Sequence, residues 1–86
     1  MNMSGSSVCK KVKEIIFAEC DMHGQTIDRN TKFMANNGLS YFDCMNTLYT
    51  LQHVFGVSLP ESDFEKYKTV GGLTRCVVKQ LKAKAK

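Results

Sequence analysis

Gly38-Leu-Ser-Tyr-Phe-Asp-Cys-Met-Asn-Thr-Leu-Tyr-Thr-Leu-Gln-His-Val-Phe55 reads as one helix with its start and stop signals in place. Ser40 is a favourable N-cap, because its hydroxyl accepts from an orphan backbone N–H of the first turn. Asp43, three residues on, completes a Ser-x-x-Asp form of the capping box and stands near the positive end of the helix dipole. Behind the cap, Cys44, Leu48, Leu51 and Phe55 recur at i, i+4, i+7 and i+11 and make one apolar stripe. Phe42, Met45 and Tyr49 are read as widening that stripe, so that the helix touches neighbours on more than one side. Gly56 then stops it as a left-handed terminator.

On either side the same signals repeat. Ser7 to about Glu19 reads as a first helix with Val8, Val12, Ile15, Ile16 and Cys20 on its buried side. Asp21 to Leu39 has no sustained period and is rich in Gly and Asn, so it reads as a loop. Ile27, Phe33 and Met34 are apolar enough to pin that loop to the rest. A loop this long inside a small domain is often functional. After Gly56, Pro60 suits a first helical position, and Glu61 and Asp63 suit a first turn. A short third helix is expected from Glu61 to Lys66. Thr69 can cap a fourth, in which Val70, Leu73, Val77 and Leu81 share a face. Gly71 and Gly72 weaken its start, or let another backbone approach closely. Periodicity therefore predicts an all-α bundle of three main helices and one short one, with no strand.

At 86 residues, 43% of them hydrophobic and 23% charged, the chain is expected to form a single domain with one small core. Residues 1–6 read as a flexible leader without the features of a secretory signal. Residues 82–86 read as a basic, fraying tail. No apolar run approaches the roughly 20 residues that span a bilayer. The four cysteines form no Cys-x-x-Cys pair and are not spaced with His23 or His53 as metal ligands, so reduced, largely packed thiols are expected and no metal site. A cytoplasmic monomer fits these features.

The net charge is +4, carried by Lys10, Lys11 and Lys13 on the first helix and by Arg75, Lys79, Lys82 and Lys86 on the last. This is read as solvated faces and complement to the dipole of the last helix rather than a nucleic-acid surface, since no aromatic-interleaved basic patch accompanies it. No histidine, cysteine or carboxylate is spaced with a partner for general acid–base or nucleophilic work, so the chain is not expected to be an enzyme. His53 reads as solvated surface and Cys44 as packing.

Phe55-Gly-Val-Ser-Leu-Pro-Glu-Ser-Asp-Phe-Glu-Lys-Tyr-Lys-Thr-Val70 resembles the segment between the second and fourth helices of the acyl carrier proteins. Lys11-Val-Lys-Glu-Ile-Ile16 is similar to that family's first-helix pattern, and Thr31-Lys-Phe-Met34 to its loop before the active turn. The resemblance runs from end to end with hardly a gap. It implies a four-helix bundle carrying acyl or aminoacyl groups on a phosphopantetheine arm, bonded to a serine in an Asp-Ser-Leu motif at the start of the second helix. It also implies partner enzymes that dock on an acidic second helix.

At that motif this chain has Ser40-Tyr41-Phe42. Tyr41 takes the place of the serine, and its phenol is displaced by several ångströms from a serine hydroxyl, so no arm is expected there. Ser40 either preserves the cap or serves as a shifted acceptor, turned by about 100° around the helix. The expected outward positions Asn46, Thr47, Thr50, Gln52 and His53 are uncharged where the family is acidic. Two functions follow from the resemblance. One is a carrier-fold protein without an arm, acting through protein contacts made by Tyr41, Phe42, Met45 and Tyr49, with Tyr41 the most exposed. Phe42 and Met45 read equally as core. The other is a working carrier in a lipid, polyketide, peptide or secretion-linked pathway, with phosphopantetheine on Ser40. Partners are accordingly acyl-transfer or biosynthetic enzymes, or a non-enzymatic complex. Phe42, Tyr49, Phe55 and Phe64 are expected to fill the space between the second and third helices.

Overall fold

A computed structural model describes residues 5–20, 26–33 and 40–84 of the chain. Helix α1 spans Gly5–Glu19, α2 spans Tyr41–Phe55, a 3₁₀ helix spans Glu61–Tyr67, and α3 spans Val70–Lys84. Helix α1 packs on both α2 and α3, and the 3₁₀ helix packs on α3. Among the described residues the only β-type pairing is an isolated bridge between Lys32 and Thr69. The all-α bundle expected from periodicity is the observed fold.

The caps act as their chemistry requires. Ser40 is extended (φ −73°, ψ 148°), and its Oγ accepts the Asp43 N–H at 3.0 Å. Gly56 closes α2 in the left-handed region (φ 64°, ψ 39°), its N–H donating to the Gln52 carbonyl at 2.9 Å. Thr69 Oγ1 accepts from the Gly72 N–H at 3.0 Å and caps α3. Part of the stretches read as leader and tail is helical. Gly5 and Ser6 are already helical, and α3 continues to Lys84, whose ammonium donates to the Gly56 carbonyl.

The core is one cluster. Val8, Val12 and Ile16 of α1 meet Leu48 and Leu51 of α2 and Leu73 and Val77 of α3. Two aromatic side chains are fully buried within it, Phe33 from the loop and Tyr67 from the end of the 3₁₀ helix. Tyr67 keeps its hydroxyl satisfied by donating to the Pro60 carbonyl at 3.1 Å. This corrects one expectation. Phe42, Tyr49 and Phe64 do not fill the interior; they are 71%, 76% and 43% exposed, and Phe55 is only partly buried.

Ile27 and Phe33 are buried and pin the loop, as their apolarity predicts; Met34 lies outside the described residues. The backbone does the rest. Phe33 N–H donates to the Lys68 carbonyl (2.8 Å), Val70 N–H to Thr31 (2.8 Å), and Gly71 N–H to Arg29 (2.8 Å). This clamp explains the paired glycines. A Cβ on Gly71 would stand 3.0 Å from the Arg29 carbonyl oxygen, and one on Gly72 would stand 2.6 Å from that of Lys66.

All four cysteines are free, and Cys9, Cys20 and Cys44 are buried. Burial pushes the Cys44 thiol from its ordinary 9.0 up to about 11 and the Tyr67 phenol from 10.0 up to about 12, and it raises Cys20 as well. In each case the fold disfavours the charged form. Above pH 9 the unfolded chain therefore releases protons that the folded chain retains, and stability falls with rising pH. Under reducing conditions the urea midpoint should be flat from pH 7 to 8.5 and drop between pH 9 and 10.5, each group contributing at most about 1.4 kcal/mol per pH unit. A flat profile to pH 10.5 would contradict the burial of these groups.

Candidate functional site

The site begins where α2 begins. Ser40 stands exposed just ahead of it, its Oγ engaged with the Asp43 N–H. Tyr41, the first helical residue, is 63% exposed. Asp43 is the only carboxylate on the helix.

Helical geometry separates two stripes on α2. Cys44, Leu48 and Leu51 point inward. Phe42, Asn46, Tyr49 and His53 repeat the same i, i+4, i+7, i+11 spacing two residues earlier, and all four are exposed. Two residues turn the chain by about 200°, so this second stripe lies on the opposite side of the helix. Phe42 and Tyr49 therefore face solvent and do not widen the core stripe. The signal was the offset of two. Tyr41 is less exposed than either and sits at the flank. Met45 is half-buried and packs against the core.

Three of the residues expected on the outer face are placed otherwise. Thr47 is fully buried, donating to the Asp43 carbonyl at 2.9 Å and lying 3.4 Å from the Cys20 sulfur. Thr50 is half-buried and donates to Glu19 on α1 at 2.7 Å. Gln52 is half-buried, and its Oε1 accepts the Leu59 N–H at 3.1 Å. Each polar group is used to join elements. Only Asn46 and His53 remain outward from that set.

Among the described residues no three His, Cys, Asp or Glu side chains stand close enough to hold a metal ion. No described helix is long and apolar enough to cross a membrane.

The sequence has named relatives. It is 30% identical to the acyl carrier protein of Lactobacillus acidophilus over 69 residues, covering 80% of this chain and 86% of the relative. The chain belongs to the acyl carrier protein family. It is also 26% identical to the acyl carrier protein of Phytoplasma australiense over 74 residues (86% of this chain, 97% of the relative). With that of Wolinella succinogenes it shares 23% over 66 residues (77% and 87%). No family model and no solved structure matches.

Proposed function

We propose that this member of the acyl carrier protein family carries no phosphopantetheine arm at Tyr41 and works by presenting the outer face of α2 to a protein partner. The observation that supports it most is the exposure of Phe42 and Tyr49, 71% and 76%, one above the other on the side of α2 opposite the core. Large aromatic groups held in water on a well-formed helix suit a contact that desolvates them, and tyrosine is favoured in interface hot spots. Tyr41 and the half-buried Met45 extend this surface along its flank.

The residues at the usual attachment position do not fit the arm. Transfer of a prosthetic group depends on placing a short aliphatic hydroxyl, and a misplacement of about 1 Å can cost roughly a hundredfold. Tyr41 offers a phenol at the far end of a ring. Ser40 has the right hydroxyl, but it accepts from the Asp43 N–H and is displaced by about 100° around the helix. The capping role accounts for Ser40 without an arm. Recognition on this face would be mainly apolar, because Asp43 is the only carboxylate of α2 and steering by a charged patch has little to follow. Acyl-transfer or biosynthetic enzymes, or a non-enzymatic complex, remain the partner classes for a monomeric, cytoplasmic single-domain chain.

The test is the intact mass of the full chain after incubation with coenzyme A and a broad-specificity phosphopantetheinyl transferase. The native chain should gain nothing, and Tyr41→Ser should gain one arm. A gain on the native chain that Ser40→Ala abolishes would overturn the proposal and make the protein a working carrier with a shifted acceptor.

A further inference from the structure

Arg75, Lys79 and Lys82 lie at i, i+4 and i+7, and Arg29 joins them from the loop around a cleft of about 450 Å³. Gly5, at the positive end of the α1 dipole, completes its rim, and among the described residues no acidic one lines it. Among the described residues none of the four cations takes part in an ion pair. The carboxylates that line the neighbouring cleft, beside Arg75 and Lys79, are Asp63 and Glu65. They are already matched, by Lys66 at 3.9 Å and Lys68 at 2.9 Å.

A second observation is independent of charge. Thr74 lines the same cleft, is 2% exposed, and its hydroxyl has no hydrogen-bond partner among the described residues. The other buried threonine, Thr47, donates to the carbonyl one turn back; Thr74 makes no such bond. A buried hydroxyl without a partner in a native fold calls for an explanation, and a bound ligand supplies one. The remaining wall is Val78 and the aliphatic stems of the basic side chains, which suit an apolar body rather than a bare ion.

We propose that this cleft binds an organic phosphate, a phosphomonoester on a short apolar group, with Arg29, Arg75, Lys79 and Lys82 around the phosphate and Thr74 beneath it. Two arginines and two lysines exceed what a single carboxylate uses, whereas a phosphate dianion has three terminal oxygens to share among them. The site lies on α3 and the loop, away from the exposed face of α2, and does not depend on the arm reading. The ester is either a soluble molecule or the headgroup of a lipid.

The test is a titration of the ¹⁵N-labelled full chain with phenyl phosphate, with inorganic phosphate, and with sodium chloride at matched ionic strength. Alongside, the chain is sedimented with phosphatidylcholine vesicles with and without phosphatidic acid. Phenyl phosphate should shift Arg29 and the Thr74–Lys82 amides saturably and bind more tightly than inorganic phosphate. Arg75→Gln with Lys79→Gln should weaken it about tenfold or more, and Thr74→Val should weaken it several-fold while leaving the rest of the spectrum in place. Sedimentation only with phosphatidic acid, lost in the double variant, would assign the same headgroup to a membrane surface. Shifts reproduced by sodium chloride, or spread equally over Lys10, Lys11 and Lys13, would overturn the proposal, as would no binding by either source.

Discussion

Replacing Phe33 by alanine should lower the stability of this protein by about 3–5 kcal/mol, the range for truncating a fully buried phenylalanine. Its side chain has no exposed surface. It comes from a loop and not from a helix, so nothing local rebuilds the contact once the ring is gone. Its backbone is fastened at two points, the N–H to the Lys68 carbonyl at 2.8 Å and the carbonyl to the Cys44 thiol at 3.5 Å. These bonds tie the loop to Lys68, just ahead of α3, and to Cys44 in the first turn of α2, and the buried ring anchors the same residue in the core. A chain of 86 residues typically has only roughly 4–13 kcal/mol in all, so Phe33→Ala should remove a large part of the stability, and at the low end of that range it leaves a substantial share of the molecules unfolded at 37 °C. Urea denaturation of the variant beside Phe64→Ala, whose ring is 43% exposed, measures the difference. A loss below about 1 kcal/mol would mean that the loop is not part of the cooperative core.

Gly72→Ala is the second large effect, and its sign runs against propensity. In an open helix alanine is better than glycine by about 1 kcal/mol. Here the added Cβ would lie 2.6 Å from the Lys66 carbonyl oxygen, a backbone atom that cannot swing aside. The end of the 3₁₀ helix must move, which loosens Tyr67 beside it. A net loss of about 1–3 kcal/mol is expected, as for other overpacked sites. Gly5→Ala is the control, because nothing stands within 4 Å of its added Cβ. Thermal melts of the two should move in opposite directions; a gain in stability from Gly72→Ala would refute the close approach.

Much of this was legible because local signals and packing agreed. Ser40 and Gly56 close α2 at the residues that their chemistry marks, and Val70, Leu73 and Val77 share the buried face that their spacing defines. The choice left open at Gly71 and Gly72 is resolved toward close approach of another backbone. The reading of Phe42 and Tyr49 as core fails because it weighs hydrophobic type above angular position, whereas their exposure agrees with the reading as a contact surface. Thr47, Thr50 and Gln52 were misplaced because polar type was read as exposure, whereas each has a specific hydrogen-bond partner that permits burial. The basic edge of α3 was legible as Arg75, Lys79 and Lys82, but the cleft was not. It needs Arg29 beside α3, and that pairing is made by backbone hydrogen bonds across the fold, which leave no periodic trace in the sequence.

That same clamp has a kinetic side. Joining Arg29 to Gly71 ties off about 40 residues, a stretch that contains all of α2 and the 3₁₀ helix. Bringing the ends of so long a segment together carries an entropic cost that local helix formation does not. Helices α1 and α2 can gain structure early from neighbours in sequence, while the clamp must wait for the far end of the chain to arrive. Once closed, it makes α2 part of an enclosed span, fastened at both ends of the segment as well as by its packing on α1.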